Sequence, residues 1–77
     1  MTSKIEFPPR KEPIYAHGRN GYFKATAINV LDLSDSIILE NWNSRDSIGR
    51  GRVVLPANCN VLRDLANKLN RIADRLP

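Results

Sequence analysis

The sequence predicts an α+β domain, in which an antiparallel, curved sheet of about four strands is followed by one C-terminal amphipathic helix packed on one face. Three observations carry that expectation. Leu62, Leu65, Leu69, Ile72 and Leu76 recur at steps of three, four, three and four, which lines them along one stripe of a helix and leaves Arg63, Lys68, Arg71 and Arg75 off it. Upstream of the stripe, runs rich in β-branched and aromatic residues alternate with turn signals. Between the two regimes stands Pro56, which lacks the amide a ladder needs but suits a helix entrance.

Taken in order, residues 1–13 are rich in charge and proline, with Pro8, Pro9 and Pro13 removing backbone donors. They read as a flexible, polyproline-like arm, and residues 14–77 as a single sheet-plus-helix domain. A short extended piece is expected at 14–17, with turn chemistry from Gly18, Asn20 and Gly21. Residues 22–31, YFKATAINVL, form the longest strand candidate. One parity carries Phe23, Ala25, Ala27, Asn29 and Leu31, the other Tyr22, Lys24, Thr26, Ile28 and Val30. Neither is wholly polar, so alternation leaves its orientation open.

Asp32-Leu-Ser-Asp35 breaks the pattern as a turn, and residues 36–42 resume it as a second strand. Residues 43–51 read as a polar connection, with Gly49 and Gly51 available for positive φ. A third clear strand spans 52–55, and either Asn58 or Asn60 supplies the helix cap.

A chain of 77 residues is one domain that buries only about 60% of its unfolded surface. One cysteine and one histidine build neither a disulfide nor a structural metal site within the chain. Association of two copies is therefore the expected staple, with Leu62, Leu65, Leu69, Ile72 and Leu76 as core or dimer contact. Cys59 reads as a small buried residue rather than a nucleophile.

Charge is unevenly placed. The net value is +4, yet residues 25–44 carry only Asp32, Asp35 and Glu40, while the flanks hold all twelve lysines and arginines. Such a balance favours an anionic partner that avoids the acidic middle. Single nucleic-acid strands stack their bases on aromatic rings while basic side chains follow the phosphates. Tyr22 and Trp42, with Lys24, Arg45, Arg50 and Arg52, are the residues expected to do this. Phe23 and Trp42 suit a small core equally well.

No catalytic constellation emerges. His17 has no cysteine or carboxylate at ligand spacing, Asp32 and Asp35 bracket a turn, and no phosphate-cradling glycine loop is present. An enzyme, a cofactor, a metal and a small-molecule substrate are not expected. The opening residues lack the apolar core of a signal peptide, and no stretch approaches the roughly 20 residues of a membrane span. A cytoplasmic protein with no membrane partner is expected.

The segment RGRVVLPANCNVLRDLANKLNRIADRL resembles the last strand and helix of the PUR repeat, in which an apolar-Leu-Pro step precedes an amphipathic helix containing Leu-Arg-Asp. The matching residues are Val54, Leu55, Pro56, Leu62, Arg63 and Asp64. The two preceding runs are similar in order to the strands of PUR repeats and of the related Whirly and transcriptional positive-cofactor families. That resemblance implies a curved four-stranded sheet plus helix, a dimer, and binding of single-stranded DNA or RNA. Against it stands a second reading, a small interaction or regulatory module that dimerises through its helix and binds no nucleic acid.

Overall fold

A computed structural model describes every residue except Met1, Arg19, Asn20 and Ser47, with the backbone alone at Ile48 and Arg50. The chain is α+β, as the sequence predicts. Its described elements run β1 (Thr2–Glu6), β2 (Ile14–Gly18), β3 (Gly21–Ala25), β4 (Ala27–Asp32), β5 (Ser36–Asn43), β6 (Ile48–Pro56) and α1 (Cys59–Arg75). Four strands form an antiparallel sheet in the order β1-β4-β5-β6, and β2 and β3 form a separate two-stranded hairpin.

The first correction concerns the arm. Thr2–Glu6 is not a free segment but an edge strand, pairing Lys4 with Asn29 and Ile5 with Ile28. All five of its residues are exposed, so it is its ladder to β4 rather than apolar burial that holds it in place. The prolines are confined to the connection that follows.

The run 22–31 is two strands rather than one. Thr26 separates β3 from β4 and acts as the corner: its amide donates to Trp42 O at 2.8 Å, and its carbonyl accepts from Phe7 N at 2.8 Å. Its hydroxyl accepts from Ser44 N at 2.9 Å. A continuous β-prone run hides such a break, because the bonds that fix it come from residues distant in sequence.

The polar connection shortens to a turn at Ser44, Arg45 and Asp46, since β6 already begins at Ile48 and pairs with Asn43. Opposite Glu40 the β5–β6 register shifts, and Gly51 there holds φ +68°. An extra residue with left-handed backbone is what a bulge requires, and glycine takes it without strain. The turn at Asp32–Asp35 forms as expected, closed by Leu33 N donating to Ser36 O at 3.0 Å.

The helix cap is Asn58, whose side chain accepts from Asn60 N at 3.0 Å and Val61 N at 3.1 Å. Beyond that cap the helix is nearly bare rather than packed on one face of the sheet as expected, and Cys59 in its first turn is exposed rather than buried. Leu62 and Leu65 are half-buried, Leu69 and Leu76 are 55% and 65% exposed, and no residue of α1 is buried.

Buried apolar residues among those described are three alanines, Ala16, Ala25 and Ala27, contributed by both sheets. Beside them lie the half-buried rings of Phe23 and Trp42. The hairpin leans on the larger sheet, β3 against β5 and β2 against β6, and Asn43 Nδ2 ties it down by donating to Lys24 O at 2.8 Å.

Candidate nucleic-acid interface

The hairpin register sets His17 opposite Tyr22 and Tyr15 opposite Lys24. Residues directly paired share a face, and side chains alternate along a strand, so these four stand together on one side. That side is outermost. Tyr22 is 75% exposed and Tyr15 61%, and His17 and Lys24 are exposed as well. The His17 and Tyr22 rings meet edge to face, with centroids 5.4 Å apart at 85°.

The other side of the same hairpin carries Ile14, Ala16, Phe23 and Ala25, of which both alanines are buried. With two buried alanines and the half-buried Phe23 ring inward, and Tyr15, His17 and Tyr22 outward, the hairpin has a packed back and an aromatic front. A flat base can stack on such a front, and Lys24 stands ready for its phosphate.

The remaining expected residues are distributed elsewhere. Trp42 belongs to the four-stranded sheet, half-buried between Ala27 and Gly49, with Lys4 Nζ 5.5 Å above its ring centroid. A Cβ on Gly49 would meet Trp42 Cε3 at 2.7 Å and collide with the Glu40 carboxylate, so the glycine makes room for both side chains. Trp42 is therefore a packed ring under a lysine rather than an open platform. Arg52 donates through Nε to Glu40, whose side chain is 5% exposed. Its charge is thus committed in part to a buried carboxylate.

Arg45 is exposed in the turn after β5, a turn held by Asp46 N donating to Asn43 Oδ1 at 2.9 Å. The backbone of Arg50 pairs with Asn41, and its side chain lies outside the described residues. The fold thus brings Tyr22 and Lys24 together, keeps Trp42 and Arg52 in the other sheet, and sets Arg45 at a turn.

Tyr15 and His17 join the candidate site although neither stood out as a binding residue in the sequence. The signal was the Gly18…Gly21 spacing: a two-residue hairpin connection fixes which side chains face one another, and counting back from it pairs His17 with Tyr22. Asn20, expected in that turn, lies outside the described residues.

No group of three or more histidine, cysteine, aspartate or glutamate side chains among the described residues is placed to hold a metal ion. No helix of the described residues is long and apolar enough to cross a membrane. No family model matches the chain, and no curated protein or solved structure matches it either.

Proposed function

We propose that this chain is a single-stranded DNA- or RNA-binding module, acting in the cytoplasm as a homodimer, with the outer face of the β2–β3 hairpin as its contact surface. The observation that carries the reading is the juxtaposition of Tyr15, His17, Tyr22 and Lys24 on one exposed face. Exposed aromatic rings in a row are unfavourable in water unless something covers them, and nucleobases do so without regard to sequence. The net charge of +4 favours a polyanion over an apolar protein surface. The order of a four-stranded antiparallel sheet and a C-terminal helix is consistent with the PUR-like resemblance, and the β2–β3 hairpin is an addition to it.

Dimerisation is supported by two uncovered apolar surfaces. By register, Ile5, Ile28, Val30, Ile37, Leu39 and Val53 share one side of the four-stranded sheet, and none of them is buried. The stripe of the helix is bare from Leu69 to Leu76, although an isolated helix of the 17 residues of α1 is marginal in water. Helix from one copy against sheet of the other covers both surfaces and closes by two-fold symmetry.

Titration of labelled single- and double-stranded oligonucleotides at several salt concentrations tests the reading, with tighter binding of the single strand expected. Absence of binding at low salt overturns it. The bare helix stripe favours the second reading in that event, a dimeric interaction module that uses its apolar surfaces alone.

A further inference from the structure

Beside the hairpin the proline-bearing connection between β1 and β2 borders a small, half-open cavity of about 140 Å³. Phe7, Pro8, Pro9 and Pro13 contribute flat or rigid apolar walls, and the two charged residues of its lining are Arg10 and Lys24. No carboxylate lines it among the described residues. Lys24 is also the cross-strand neighbour of Tyr15, so the cavity shares one residue with the hairpin's outer face, while Ile14 and Ala25 of its lining belong to the inner one.

We propose that this cavity is a subsite for one nucleotide of a bound strand, its base against Phe7 and the prolines and its phosphate between Arg10 and Lys24. The inference rests on the hairpin reading above and adds a defined end to the track. A volume of about 140 Å³ is near that of a cavity filled by one benzene ring and well short of the about 300 Å³ at which pockets for drug-sized ligands begin, so only the flat ring of the nucleotide enters and its sugar and phosphate stay at the mouth. Charge excludes neutral and cationic occupants: two basic groups without a compensating carboxylate in the lining select an anion. Apolar walls select an anion that carries a flat ring. A nucleoside monophosphate unit has both parts, whereas inorganic phosphate has only one. The prolines supply a wall that is rigid before binding, so little ordering entropy is lost when it is filled.

The test is amide NMR of the full chain titrated with thymidine 5′-monophosphate, with inorganic phosphate and, separately, with an octathymidine strand. The monophosphate should shift the amides of Ile14, Lys24, Ala25 and Thr26, and phosphate alone should shift them far less. Arg10→Gln should weaken the monophosphate by about tenfold, the loss of one charge-assisted contact, while leaving the rest of the spectrum in place. Equal shifts from phosphate and monophosphate would overturn base recognition and leave an anion site. Octathymidine binding that moves Tyr15 and Tyr22 but not the cavity amides would overturn the subsite while sparing the hairpin reading. Monophosphate binding in the cavity with no octathymidine binding would support the subsite and sink the hairpin reading.

Discussion

Glu40 and Arg52 form an ion pair in which the carboxylate is sheltered and the guanidinium is not: Arg52 Nε donates to Glu40 Oε2 at 2.5 Å, and the arginine side chain is 57% exposed against 5% for the glutamate. Glu40 faces Asn29 across the β4–β5 ladder, and Asn29 Oδ1 is itself buried with no hydrogen-bond partner among the described residues. The buried side of the sheet is therefore polar in the middle, and one arginine does most of the compensating. That relationship changes what substitution of Arg52 reports.

Arg52→Gln is expected to destabilise the fold by about 1–3 kcal/mol, because it strips a buried carboxylate of its charged donor. Urea unfolding of Arg52→Gln, Glu40→Gln and the double variant measures the coupling. A double variant no better than the sum of the single ones would mean that the pair is not coupled. Any loss of oligonucleotide binding in Arg52→Gln has to be read after correcting for unfolded protein.

Leu69 supplies the test of association. At 55% exposure within one chain, its truncation should cost well under the roughly 2–5 kcal/mol of a fully buried leucine. If a second copy covers the helix, Leu69→Ala should instead cost about 2 kcal/mol or more and shift the sedimenting species toward monomer. A stable monomer in the parent chain, with a neutral Leu69→Ala, would dispose of the homodimer.

The helix was legible because apolar residues at alternating steps of three and four line one face of a helix but scatter over both faces of a strand. Asn58 was among the two caps the sequence offered, and strand β5 was equally plain. The edge strand β1 was not, since an exposed strand obeys no apolar alternation and the neighbouring prolines suggested a free arm. Nor was the corner at Thr26, which is fixed by Phe7, Trp42 and Ser44 rather than by any local breaker. Half of the candidate site was legible in Tyr22 and Lys24. Tyr15 and His17 lay on a segment too short to draw notice until the hairpin register placed them opposite those two residues.

Removal of residues 2–6 should lower stability substantially, in contrast to what a free arm would predict. The deletion strips β4 of an edge partner, takes away Lys4 from above Trp42, and breaks the bond from Ser44 Oγ to Glu6 Oε1 at 2.9 Å. A loss of more than about 2 kcal/mol by thermal or urea unfolding is expected, on the scale of the larger single-site effects. An unchanged midpoint would show that β1 contributes no net stability.

Two substitutions on the hairpin separate stacking from charge. Tyr22 is 75% exposed and touches His17 only at its edge, so Tyr22→Ala should leave the fold intact while costing about 1–3 kcal/mol of single-strand affinity. Its salt dependence should not change, because no phosphate contact is lost. Lys24→Gln should do the reverse, lowering the slope of log affinity against log salt by about 0.7 at a modest loss of affinity. Lys24 is held in place by its backbone bond to Asn43, so the side-chain change leaves the anchor of the hairpin untouched. Fluorescence anisotropy of a labelled oligothymidine at four salt concentrations reads both quantities at once. Identical behaviour of the two variants, either both silent or both shifting the slope alone, would remove base stacking on this face from the account.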